Sequence, residues 1–426
     1  LSPAHSIAVV GGGWAGLAAA VRATQAGHRV TLLEMSPQLG GRARGVVVNG
    51  LPLDNGQHIL IGAYKRTLAL MATVGADATT LLCRQPLELR YPDGRGLRMP
   101  PGPPWLGFGL AVAGCVGWTW LDRWALMRAA AGWALAGFRC SPDLTVDMLC
   151  QGLPPSVRQL LIDPLCVAAL NTPARDASAQ VLLRVLRDAL FSGIGSADLM
   201  LPRVPLSALL PNPAATWLLS QGAAVRLNSR VQSLEPHGGS WHVDGRRFDN
   251  VVLACSAAEA ARLTLAVAPQ WAGQARTLRY EPIATVYMHW PGVRLPSPMM
   301  ALQEGTEAPA QFAFDHGALG GHPGVVALVV SGAASWVERG LPAVGEAALA
   351  QARAAFASAG GTAEPQILRV MAERRATFAC TPTLRRPQAA VAPGLVAAGD
   401  YIDGPYPATL EGAVRSGESA AAALSR

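Results

Sequence analysis

Lysine is nearly absent from this chain of 426 residues: Lys65 stands alone, and the basic side is otherwise arginine. Charge of either sign is sparse, at 15%, with 35 basic against 28 acidic residues for a net +7. No stretch gathers basic side chains with aromatics, which argues against nucleic acid as a partner. A mild arginine excess on an apolar chain fits attraction to anionic lipid at least as well. The seven cysteines are odd in number and contain no C-x-x-C pair, which speaks against a disulfide framework, a zinc site or an iron–sulfur cluster. The expectation is therefore no metal and a reducing, cytoplasmic setting. Strand-like sequence begins within seven residues of the start, so no signal peptide is expected. Aromatics are also few, at 6% with six tyrosines. What is plentiful is hydrophobic residue, at 50%. That supplies a sizeable core for a length that suggests two to three domains of about 150 residues. The 45 glycines and 33 prolines are dispersed, which excludes a collagen-like or low-complexity chain.

Residues 7–10 form a short apolar, β-branched run. It is followed at once by Gly11-Gly12-Gly13-Trp14-Ala15-Gly16 and an alanine-rich helical stretch at 17–26. The spacing is G-x-G-x-x-G between a strand and a helix, the context that gives it meaning. Gly11 allows the tight turn, Gly13 lets backbone approach a pyrophosphate, and Gly16 lets helix and strand pack closely. The N–H groups and positive end of the helix then face the phosphates. Residues 29–33 read as a second strand, closed by Glu34, whose carboxylate is spaced to accept hydrogen bonds from an adenosine ribose.

Gly40-Gly41-Arg42-Ala43 and Leu53-Asp54-Asn55-Gly56-Gln57-His58 follow in order. Here the chain resembles the flavin-dependent amine oxidase and phytoene desaturase superfamily, in which a G-G-R motif follows the ribose carboxylate. The resemblance implies FAD, with Arg42 by the pyrophosphate and the Asp54–Gly56 segment alongside the flavin. A surface salt bridge is the alternative for Arg42. Two later stretches return to the cofactor. Residues 205–222 read as a helix, 224–234 as a strand and 248–254 as another; the resemblance places the backbone of Val231 beside the adenine. At the C-terminus, residues 394–400 form a strand ending in Gly399-Asp400. Pro407-Ala408-Thr409-Leu410-Glu411-Gly412-Ala413 leads into a final helix at 414–424. In the resembling family the acidic residue binds near the pyrophosphate or ribityl chain and the helix N-terminus faces the flavin. A helix N-terminus stabilises anionic charge. Glu411 and Arg415 read more simply as a surface i, i+4 ion pair.

The implied fold is α/β: a Rossmann-like FAD-binding domain, discontinuous over residues 1–82, 203–265 and 386–426. An α+β substrate domain from 83–202 and 266–385 is inserted, in an amine-oxidase-like arrangement. Residues 99–121 carry no charge and come near the ~20 residues of a membrane span. Their prolines and glycines favour instead a surface-dipping helix pair lining a lipid tunnel, or an ordinary buried helical hairpin. Residues 147–170 and 178–191 also read as helices, and 283–290 and 325–330 as strands. A sheet floor under helices makes a deep apolar cavity. With so few tyrosines an aromatic cage for an amine has little support, and a hydrocarbon or isoprenoid substrate fits better.

Trp14 within the glycine loop, Asp54-Asn55-Gly56-Gln57-His58 and the closing Gly399-Asp400 narrow the resemblance. They point to the squalene-associated FAD-dependent enzymes, the hydroxysqualene dehydroxylases. That implies reductive removal of an allylic hydroxyl, with an unknown electron donor and a possible peripheral site on the inner face of the membrane. Departure of hydroxide calls for an acid. His58 is the candidate, backed by Gln57, Asp54 and Tyr401, although His58 could instead only fix its loop. Asp403 and Tyr406 are further candidates to face the substrate. A phytoene-type desaturase and a non-catalytic isoprenoid carrier are the competing readings.

Overall fold

The computed structural model describes residues 4–359 and 363–424; the outermost residues of the terminal segments assigned above lie outside them. A six-stranded sheet takes its strands from three distant parts of the chain. In spatial order these are Ala224–Arg226, Arg29–Leu33, Ser6–Val10, Asn250–Leu253, Leu395–Ala397 and Ala390–Ala392. The first five run parallel, and only the edge strand Ala390–Ala392 is antiparallel. Val10 lies level with both Leu33 and Leu253, so the loops opening at Gly11, Glu34 and Ala254 emerge side by side. That is the carboxyl edge at which parallel α/β sheets bind ligands.

The first helix, Trp14–Gln25, is buried along nearly its whole length. Small residues allow this. A Cβ on Gly16 would collide with the Gly11 carbonyl, and one on Gly417 of the C-terminal helix Leu410–Leu424 with the Ala15 carbonyl. The two helices thus pack backbone to backbone beneath the sheet edge.

The second layer is an antiparallel five-stranded sheet in the order Met299–Ala301, Phe312–Asp315, Val325–Val330, Tyr280–His289, Gln366–Phe378. Its strand Val325–Val330 is buried at every position, as expected where both faces are covered. Helix Asp163–Leu170 lines the cavity beside this sheet, and helix Ala179–Phe191 packs on that helix.

The structure corrects several element boundaries. Residues 224–234 are not one strand: the chain leaves the sheet after Arg226, and Asn228 turns in the left-handed region at φ 51°. Leu234–His237 belongs to a separate three-stranded sheet. Asn-Ser is turn chemistry that alternation alone overlooks. The 205–222 helix is two, Leu206–Leu209 and Pro211–Ser220. The 147–170 helix is interrupted, with a π-turn at Arg158–Ile162 before Asp163–Leu170. The closing helix starts at Leu410, four residues earlier than expected, because the Thr409 hydroxyl caps the Gly412 N–H at 3.0 Å. The uncharged stretch holds one short helix, Pro104–Ala113, and ends at the start of a second, Trp120–Leu135, which carries Asp122, Arg123 and Arg128. Among the described residues no helix is long and apolar enough to cross a membrane.

Candidate active site

A cavity of about 650 Å³ runs from the carboxyl edge of the parallel sheet to the antiparallel sheet. At its first end Gly11 takes φ 108°, and a Cβ there would sit 2.6 Å from the Ala254 carbonyl oxygen. Only glycine closes this turn. A Cβ on Gly13 behaves differently: it meets nothing closer than the Gly41 Cα at 3.9 Å, and Gly13 lines the cavity. No side chain caps the helix that starts at Trp14, so its first-turn N–H groups are open to an anion. Glu34 accepts from the Gly12 N–H at 2.6 Å and the Ser36 N–H at 2.8 Å. Each carboxylate oxygen keeps a further lone pair for a ligand hydroxyl.

The G-G-R turn is fixed from both sides. The Gly40 N–H donates to the Gly12 carbonyl at 2.9 Å, and the Trp14 indole to the Ala43 carbonyl at 2.9 Å. Asn55 donates to the Arg42 carbonyl at 2.9 Å and accepts from the Arg44 N–H at 3.1 Å. Trp14 and Asn55 therefore hold a loop together as well as bordering the cavity. Arg42, partly exposed, forms an ion pair with Asp400 at 2.5 Å and donates to the Ala376 carbonyl at 2.8 Å. Asp400 is only 8% exposed.

Ala15, Gly56, Val231, Gly399, Ala408, Thr409 and Leu410 all border the cavity. Val231 does so although no strand carries it, and its carbonyl is occupied by the Arg262 guanidinium at 2.6 Å. Gly16 stands outside the wall, acting through helix packing. Asp54 is also absent from it. Its carboxylate accepts from the Leu206 N–H at 2.8 Å, and its carbonyl from the Tyr287 hydroxyl at 3.0 Å. Burial, partly opposed by the Leu206 bond, raises its pKa to about 7. Asp54 is a brace between distant segments. Glu411 is likewise internal, 1% exposed. It pairs with Arg415 at 2.7 Å and accepts from the Thr67 N–H at 2.9 Å, at the start of helix Lys65–Thr73. The expected surface pair has a buried carboxylate and a partly exposed arginine. Asp403 and Tyr406 do not border the cavity; Asp403 is exposed and accepts from Gln388.

His58, Gln57 and Tyr401 do border it. The His58 Nδ1 lies 2.7 Å from the Gly56 carbonyl. A carbonyl only accepts, so Nδ1 carries the hydrogen. Burial, aided by the Arg42 charge and opposed by the Gly56 bond, lowers the His58 pKa. The neutral ring therefore presents Nε2 as an acceptor. Tyr401 is 2% exposed, its hydroxyl has no protein partner, and burial holds its pKa well above the usual phenol value. Gln57 Oε1 is another buried atom without a partner. Such orphaned groups are rare in an interior and call for a ligand.

Sequence reading missed the far wall. Ile283, Phe312, Phe314 and Val329 supply it from the antiparallel sheet, with Val167 from helix Asp163–Leu170. Asn171 ends that helix at φ 47° and ties it to the sheet through the Glu281 carbonyl and Thr377 hydroxyl at 3.1 and 3.0 Å. An asparagine before Thr-Pro is a helix-end signal. Tyr64 was also missed as a wall residue. No wall residue comes from the 104–135 helical pair, so the expected tunnel lining is not there. None of the ring–ring contacts among the described residues lies in the wall.

A glycine cradle at an open helix end, a ribose-type acceptor, a bound arginine and orphaned polar atoms fit a flavin dinucleotide, and the chain belongs to the flavin containing amine oxidoreductase family, whose model matches residues 14–425. It is an FAD-dependent oxidoreductase. Its particular relatives are narrower. The chain is 29% identical to a hydroxysqualene dehydroxylase of Rhodopseudomonas palustris, covering 98% of this chain and 97% of that one. It is 27% identical to the one of Sinorhizobium fredii, with the same coverage. A hydroxyneurosporene desaturase of Rhodobacter capsulatus matches at 39% but over only 21% of this chain and 19% of the other. Among solved structures, an oxidoreductase of Methanosarcina mazei superposes with a TM-score of 0.75 at 15% identity, over 97% of this chain and 99% of that one. The last establishes the fold.

Proposed function

We propose that this enzyme removes the allylic hydroxyl of hydroxysqualene to give squalene. The observation that carries the reading is near full-length similarity to dehydroxylases, against partial similarity to a desaturase. The apolar far wall of Ile283, Phe312, Phe314 and Val329 supports a hydrocarbon. Bound FAD supplies two-electron hydride chemistry. The first-turn N–H groups after Gly13, with Arg42 and Asp400 close by, would hold the diphosphate, and Glu34 would hold the adenosine ribose. Val231 would pack at the adenine, and the Leu410 helix would turn its positive end to the flavin.

In the overall change a C–O bond is replaced by C–H and the oxygen leaves as water, so one proton must reach the departing oxygen. Tyr401 is the donor that fits. Its phenol remains protonated, is buried and has a free O–H. His58, neutral with Nδ1 committed to Gly56, accepts rather than donates and orients the substrate hydroxyl, with Gln57 beside it. Phe312, Phe314 and Val329 keep water from the electron-poor allylic carbon. The electron donor is a separate reductant.

The test is anaerobic mixing of photoreduced protein with hydroxysqualene. Flavin reoxidation with squalene as product is the expected result. No reoxidation, but flavin reduction by a more saturated polyene, would establish a desaturase instead; silence in both would leave a carrier.

A further inference from the structure

Helices Pro104–Ala113 and Trp120–Leu135 expose what soluble helices cover. Of eighteen large hydrophobic residues exposed among the described residues, nine fall between 105 and 135. On helix Trp120–Leu135 the outward stripe is Trp120, Leu121, Trp124, Met127 and Leu135. The first four recur at the spacing of one helix face, where a surface helix is normally polar. Trp120 is 72% and Leu135 90% exposed. Helix Pro104–Ala113 turns Trp105, Leu106 and Leu110 to solvent as well, and the two helices meet where Gly109 faces the Met127 methyl. The patch continues through the Phe138–Phe191 ring contact, 5.4 Å between centroids, to the exposed Ile194. A patch this continuous marks an interaction surface.

Charge identifies the occupant. Between residues 99 and 141 the sole acidic residue is Asp122, and it is consumed in capping its own helix, accepting from the Thr119 N–H at 2.8 Å. Arg128 and Arg139 remain outward, with the Arg128 guanidinium 5.1 Å from the Trp124 ring centroid. Two copies meeting through this face would set Arg128 and Arg139 against the same arginines, with Asp143 at the edge of the patch as the nearest exposed carboxylate in sequence. Apolar side chains flanked by tryptophan and arginine match instead the boundary between headgroups and acyl chains. Neither helix is long enough to span; at ~1.5 Å per residue both fall short of the ~30 Å hydrocarbon core.

We propose that this helical pair docks the enzyme on an anionic bilayer, dipping Trp105, Trp120, Trp124 and their aliphatic neighbours into one leaflet. Helix Pro104–Ala113 of the pair packs on helix Ala179–Phe191, which packs on helix Asp163–Leu170, whose Val167 lines the cavity. Docking thus sets helices Ala179–Phe191 and Asp163–Leu170 between the lipid-facing pair and the apolar end of the cavity. The surface argument stands apart from the dehydroxylase reading, and either can fail without the other.

The test is flotation of the FAD-loaded enzyme with vesicles of phosphatidylcholine alone or with phosphatidylglycerol, alongside tryptophan quenching by brominated acyl chains. Binding to the anionic vesicles, weakened by salt and accompanied by quenching, is expected. The triple variant W105S/W120S/W124S should lose at least ~tenfold in vesicle affinity while keeping its flavin spectrum. R128E/R139E should lose the preference for anionic lipid. Unchanged binding by the triple variant overturns the proposal. So does failure of the wild type to float while it forms a dimer that the triple variant abolishes, which would assign the face to self-association.

Discussion

At the dinucleotide end, the cavity is shaped by side chains that are absent. Gly11, Gly13 and Gly41 bring backbone up to its wall, and what lies behind them is fixed by backbone hydrogen bonds and by the Arg42–Asp400 pair. At the far end the wall is made of side chains: Ile283, Phe312, Phe314 and Val329 standing off one sheet face. The first kind of wall admits almost no substitution, because added atoms meet either backbone or the ligand. The second can be repacked, since apolar residues of similar volume exchange at modest cost. The difference explains why the cofactor is identified by short motifs and the substrate only by similarity along the whole chain.

The largest test of that contrast is Gly13→Glu. Its Cβ has room, so the fold should persist by circular dichroism, while FAD affinity falls by ~hundredfold or more (~2.7 kcal/mol). Recovery of yellow protein would show that the diphosphate lies elsewhere. Next comes Tyr401→Phe, expected to lower turnover by ~10²-fold with the flavin spectrum intact. His58→Ala should cost less than ~tenfold, since a neutral acceptor orients and does not protonate. The opposite ranking in single-turnover rates would return the acid role to His58. Arg42→Met should destabilise by ~1–2 kcal/mol in urea unfolding, less than a fully buried pair because the Arg42 side chain is 37% exposed. Adding Asp400→Asn should restore part of that loss by removing the stranded carboxylate.

A further test is the pH dependence of Asp54→Asn. In the folded protein the Asp54 pKa is raised from 3.8 to about 7 by burial. Its contribution to stability is fully present below the unfolded value and is lost as pH rises through the folded one. The wild type should therefore lose stability across this window relative to the variant. The substituted amide keeps an acceptor oxygen for the Leu206 N–H, so turnover should change little. A parallel pH profile for the two proteins, or a large drop in turnover, would contradict the bracing role.

Much of the dinucleotide end was legible because its demands are local. The strand at Arg29–Leu33, the turn at Gly11 and the acceptor at Glu34 lie within one βαβ unit, where the Gly11 N–H bonds the Leu33 carbonyl and Glu34 accepts from Gly12. Val231 reached the cavity wall by a different local path, since Asn228 turns the chain out of the strand that was to carry it. The role of Asp54 was hidden, because its partners Leu206 and Tyr287 are 152 and 233 residues away. Glu411 read as a surface pair for the same reason: its second partner, Thr67, is 344 residues off.

By itself the sequence determined the glycine turn, the ribose acceptor, the G-G-R loop and the closing Gly-Asp, because steric exclusion around a tight backbone leaves few residue types per position. It also determined that residues 99–121 carry no charge. Only the tertiary structure decided which face of those helices met water, which aromatic rings walled the far cavity, and that His58 turns Nδ1 to Gly56 while Tyr401 keeps a free hydroxyl. Those outcomes depend on packing between segments hundreds of residues apart, and no local pattern records where a side chain finds its partner.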